Sequence, residues 1–129
     1  MDKNEMEEAY GPMYKCMADD ISKQRKRLGG NWAIAQAVFS RNQRNFLREG
    51  LGPDLVFIVL NMSTESQLSR VKKRHGDSLG DSIIDMLANY SKLCEPAGSD
   101  EKNAFNVTIT DGMTPVDVVQ EIITIVEKL

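Results

Sequence analysis

Apolar residues recur at helical spacing from the start of the chain. Met6, Tyr10, Met13, Met17 and Ile21 lie within residues 4–28 and predict one helix with a single apolar stripe. Gly29-Gly30 follows and supplies residues that tolerate the left-handed backbone on which helices end. Gly11-Pro12 falls inside the pattern. An interior proline has no N–H to give, so the firm helix is expected to begin at Pro12, with residues 1–11 a separate turn or a frayed end.

Residues 32–39 (WAIAQAVF) form a short, nearly continuous apolar run, as a strand covered on both faces would. Ser40 is placed to cap a helix over residues 41–49, closed by Gly50. Residues 55–60 (LVFIVL), entered through Gly52-Pro53-Asp54, read as the clearest buried strand. Thr64 and Gln67 make a capping-box pattern for a helix carrying Leu68 and Val71. Glycines break the stretch RVKKRHGDSLGD, and a further helix over residues 82–94 is expected to bury Ile83, Met86, Leu87, Tyr90 and Cys94. After a polar loop, CEPAGSDEKN, residues 105–110 (FNVTIT) read as a strand. Thr114, Pro115 and Asp117 start a last helix with Val118, Val119, Ile122, Ile123 and Val126 on a broad apolar face. Strands alternating with helices predict an α/β fold: three layers, with a short parallel sheet of about three strands between helices. The 129 residues are read as one domain.

Composition narrows the function classes. A net charge of −3 argues against a protein that grips nucleic acid or an anionic membrane with its whole surface. The acidic start has no apolar core of the kind a signal peptide carries, and no apolar run is long enough to span a bilayer. Cys16 and Cys94 match no metal-ligand spacing and read as reduced thiols, so a cytoplasmic location is expected. Asp19 and Asp20 are adjacent on a helix, where neighbours point about 100° apart, so they do not converge on a metal. Asn106-Val107-Thr108 fits a glycosylation acceptor but falls on an expected interior strand.

Three stretches, WAIAQAVFSRNQRNFLR, LVFIVLNMSTESQLSRVKKRHG and LCEPAGSDEKNAFNVTIT, carry a resemblance. In order and spacing, the C-terminal hundred or so residues resemble small P-loop kinases of the gluconate, shikimate and adenylate kinase type. The resemblance implies a parallel sheet and a nucleoside-triphosphate donor. It also implies a lid whose arginines meet the transferring phosphate, here Arg70, Lys73 and Arg74 beside Lys72 and His75. Arg44, with Arg41, matches the substrate-side arginine, and Gln36 on the preceding strand would face the cleft or bond neighbouring backbone. Glu95 and Pro96 match the loop that contacts adenine. The same cations read without the resemblance are solvated helix faces, the lid cluster favoured by the helix dipole.

The sequence departs from that family where the chemistry is done. No G-x-x-x-x-G-K-[ST] loop occurs, so there is no nest of amides with a lysine to hold a triphosphate. Gln43 and Asn45 stand where gluconate kinases have tyrosine and aspartate. Judged by the resemblance, the chain starts after the first strand, the P-loop and the second strand. The absent strand would lie between residues 32–39 and 55–60, which then pair directly or have the gap filled by a homodimer or strand-exchanged partner. The expectation is a truncated or degenerate kinase-like domain, inactive alone, with a binding, regulatory or assembly role. Two others stand beside it. One is part of an active kinase for a small anionic metabolite, with ATP and Mg²⁺ and a P-loop supplied elsewhere. The other is a structural homodimer.

Overall fold

A computed structural model describes residues 2–38, 40–76 and 80–129. Phe39 of the expected first strand, and Asp77, Ser78 and Leu79 of the glycine-broken stretch, lie outside the described residues. The element order is α1 (Lys3–Leu28), α2 (Arg41–Leu51), β1 (Phe57–Asn61), α3 (Thr64–His75), α4 (Asp81–Leu93), β2 (Ala104–Thr108) and α5 (Pro115–Glu127). The protein is mixed α/β and mostly helical, with a two-stranded parallel sheet among the described residues. It divides into two compact units, Met1–Leu55 with Leu93–Glu95, and Val56–Lys92 with Pro96–Leu129.

In the first unit, α1 runs unbroken through Gly11-Pro12, contrary to the sequence expectation. Two local features offset the roughly 3 kcal/mol that an interior proline costs. Asp2 and Glu5 form a reciprocal capping box, each side chain accepting the other's backbone N–H at 2.8 and 2.9 Å. Met6, Tyr14 and Ala18 are fully buried, so the helix gains apolar burial on both sides of the proline. As expected, Gly29 ends the helix at φ 67°, its N–H donating to Arg25 O.

Helix α2 packs along α1 in parallel. Glu7 meets Ser40 and Asn42, the Phe46 ring lies against Gly11, and Gly50 lies against Ala18. Rising numbers on one helix meet rising numbers on the other. Parallel helices oblige the connection to return almost the length of α1. From Leu28 back to the level of Glu7 is about 32 Å at the helical rise. Twelve residues, fully extended, reach about 40 Å. The run 32–38 is therefore drawn out as a strap with no ladder pairing, and residues 32–37 are exposed. This corrects the reading of a buried strand: the apolar run is stretched by the packing on either side of it.

Tyr14 pins the strap, its hydroxyl donating to Ala37 O at 2.6 Å. Burial, and secondarily the neighbouring Tyr10, push the Tyr14 phenol above the ordinary tyrosine value. The unfolded chain then ionises this group first, at a pH of about 10. Its contribution to stability is complete below that pH and is lost as pH rises through the raised folded value. Tyr14→Phe is expected to unfold more easily by about 1 kcal/mol at neutral pH. Comparing urea midpoints of the two proteins from neutral to strongly alkaline pH checks this. The gap should narrow only at the alkaline end, and a constant gap there contradicts it.

In the second unit, β1 pairs with β2 in parallel, from Phe57 opposite Ala104 to Asn61 opposite Thr108. The crossover runs through α3 and α4, the long connection that parallel neighbours need. β1 is half-buried rather than covered on both faces, and Leu60 is 51% exposed. Helix α3 is capped by Ser63, whose hydroxyl accepts the Ser66 N–H, instead of by the Thr64–Gln67 box; Gln67 donates to Met62 O. Helix α4 leaves Ile83, Met86 and Tyr90 exposed, and Cys94 lies beyond its end, also exposed. Helix α5 has the expected Thr114–Asp117 capping box and first-turn proline. Its apolar face is split: Val118 and Ile122 are half-buried, while Val119, Ile123 and Val126 are exposed.

Candidate functional site

The buried polar groups of the first unit gather where α2 begins. Ser40 caps α2 and forms a reciprocal box with Gln43, both fully buried, with each bond at 3.2 Å. Glu7 reaches this point from α1: Oε1 accepts from Ser40 Oγ at 2.9 Å and Oε2 from Asn42 Nδ2 at 3.0 Å. A carboxylate at a helix N-terminus is also favoured by the positive end of the helix dipole.

One turn into α2, Arg44 is only 1% exposed, and its Nη1 donates to Glu95 O at 2.9 Å. The Glu95 side chain answers, Oε1 accepting the Arg41 backbone N–H at 3.1 Å. Two groups picked out separately from the sequence, the substrate-side arginines and the glutamate of the Glu-Pro loop, thus meet in one polar junction. Its chemistry is that of a structural lock, because a guanidinium shut from water and bonded to a main-chain carbonyl is not presented to an incoming anion. Gln36 stands apart, exposed on the strap.

The expected lid residues divide. Arg70 is half-buried, and its Nη2 donates to Thr110 O at 3.0 Å and Met113 O at 3.2 Å, fastening the turn between β2 and α5. Lys73 and Arg74 are exposed at the end of α3, with Lys72 and His75. Cations in that last turn complement the helix dipole.

Pro96 is exposed, but Ala97 beside it is held by Asn106. The Asn106 amide imitates a peptide group: Oδ1 accepts Ala97 N–H at 2.9 Å and Nδ2 donates to Ala97 O at 2.8 Å. Asn61 donates to the same Oδ1 at 2.9 Å. One N–H of the Asn106 amide and its oxygen are thus committed to the Ala97 backbone. Neither this clamp nor Glu7 could be read from the sequence. Asn61 and Asn106 are 45 residues apart, and Glu7 and Ser40 are 33 apart.

The sequence holds no G-x-x-x-x-G-K-[ST] loop for ATP·Mg²⁺. Gly29, Gly30, Gly52 and Gly76 have the positive φ a phosphate nest uses, and Gly29, Gly52 and Gly76 each direct the N–H to a carbonyl of the helix they cap. Lys15 lies over the Phe46 ring, 5.4 Å from its centre. Among the described residues, no group of three or more His, Cys, Asp or Glu side chains could hold a metal ion. No described helix is long and apolar enough to cross a membrane. A shallow depression lined by Met13, Cys16, Met17, Asp19, Asp20 and Lys23 belongs to α1 alone and is too open to enclose a ligand. Comparison with known proteins finds no matching family model, no similar curated protein and no similar solved structure.

Proposed function

We propose that this chain is a degenerate, kinase-like α/β domain that does not transfer phosphate alone and acts through binding or assembly. The observation that carries the reading is Arg44. The arginine that the family resemblance marks for substrate is closed from water and bonded to Glu95 O. The lack of a phosphate loop in the sequence and the parallel β1–β2 pair support the same reading. A cytoplasmic location belongs with it. Isothermal titration of the full chain with ATP and ADP, in the presence of Mg²⁺, is expected to give no binding at millimolar concentration. ATP turnover onto a small acid at an ordinary enzymatic rate, with contaminants excluded, would overturn the reading.

Assembly as a homodimer is favoured by a separate observation. Val116, Val119, Ile123 and Val126 on α5, and Ile83, Met86 and Tyr90 on α4, are exposed at helical spacing, and neither helix has a buried residue. Such stripes are what helix association covers. Light scattering behind size exclusion should return twice the chain mass. A strict monomer at high concentration removes this reading and leaves the first intact.

A further inference from the structure

The charge of this chain is unevenly distributed. Between Ile21 and Arg48 lie Lys23, Arg25, Lys26, Arg27, Arg41, Arg44 and Arg48 without a single carboxylate, in a chain of net charge −3. Arg44 is buried, but Lys23, Arg25, Lys26 and Arg27 are exposed at the C-terminal end of α1. Arg27 donates to the Gln24 amide oxygen, a neutral acceptor that leaves its charge unbalanced.

Helix-dipole complementarity accounts for cations at this position. It does not account for the bulky apolar groups beside them. Leu28 is 61% exposed, Trp32 40% and Ile34 47%. The Trp32 ring is not trailing free, because Nε1 donates to Gly29 O at 3.1 Å and seats the indole against the end of α1. Its polar atom is satisfied within the chain while the hydrocarbon part of the ring stays wet. The same short segment therefore offers exposed cations and a tryptophan that can leave water without losing a hydrogen bond. Lysines and arginines near an anionic bilayer gain from its surface potential, and tryptophan with aliphatic neighbours settles at headgroup level. A nucleic-acid surface would use the cations but leave Leu28 and Ile34 unexplained.

We propose that the end of α1 and the start of the strap, Lys23 through Ile34, form a peripheral docking surface for an anionic phospholipid bilayer. The total charge of the chain weighed against membrane gripping by the whole surface; the local distribution reverses that balance at this one place. The inference is independent of the kinase-like reading.

Trp32 is the only tryptophan, so its emission reports on this surface directly. The full chain is mixed with phosphatidylcholine vesicles, with and without phosphatidylserine, and followed by co-sedimentation and Trp32 fluorescence. The expected result is binding that requires phosphatidylserine, weakens with added salt, and shifts the emission to the blue. Replacing Arg25, Lys26 and Arg27 together by glutamine should weaken binding on the order of a hundredfold, about fivefold per charge. Circular dichroism establishes that this variant keeps its helices, and the salt titration of the unaltered chain tests the proposal without any variant. No binding to phosphatidylserine vesicles overturns it, as does binding without an emission shift. Tighter binding to duplex DNA or single-stranded RNA than to vesicles also overturns it and assigns the patch to nucleic acid.

Discussion

Arg44→Met is expected to lower the unfolding free energy by about 3 kcal/mol, as a fall in the urea midpoint with an unchanged slope. The side chain is almost wholly buried and donates to Glu95 O. A methionine fills most of the volume but leaves that half-buried carbonyl without this donor. Arg44→Lys should recover only part of the loss, because an ammonium lacks the planar fork that fits such a site. A second outcome distinguishes a lock from a ligand site. Phosphate or sulfate should raise the melting temperature of the unaltered protein and of Arg44→Met equally. If Arg44 held an anion, only the unaltered protein would gain. A near-neutral Arg44→Met, together with selective stabilisation by anion, contradicts the structural role.

Gly50→Ala is expected to destabilise by about 2 kcal/mol, although alanine is by far the better helix former. Gly50 lies inside α2, and a Cβ added there would collide with the Ala18 Cβ on α1. Nothing flexible stands between them, so the helices must part or slide. Adding Ala18→Gly to the Gly50→Ala variant restores the clearance, and the double variant should be more stable than Gly50→Ala alone. A coupling near zero in that cycle would mean the two helices do not meet at this point.

What could be read from the sequence was local. The Ser40 cap, the Gly29 stop and the Thr114-Pro115-Asp117 start need only neighbours within a turn, and all three stand as expected. Gly50 reads locally as a helix end because glycine commonly is one; here the residue is demanded by Ala18, far away in the chain, and Gly52 ends the helix. Pro12 reads as a beginning by its own chemistry, but Met6 and Tyr14 bury on either side of it. The run at 32–39 has the composition of an inner strand. The conformation of residues 32–38 is set by the parallel packing of α1 and α2, which no window of that length contains. The site followed the same division. Arg44 and Glu95 both stand out in the sequence, but a separation of 51 positions hides that the arginine bonds the glutamate's main-chain carbonyl.

The strap between α1 and α2 makes the unit unequally tolerant of changes in length. It covers a span of about 32 Å with a contour of about 40 Å, so only two or three residues can be removed before it draws tight. Further loss must drag α2 along α1 and bring Gly50 out from under Ala18. Added residues would merely bow outward, at less than about 0.1 kcal/mol apiece. Among descendants of this sequence, gaps in that stretch should be rarer than insertions.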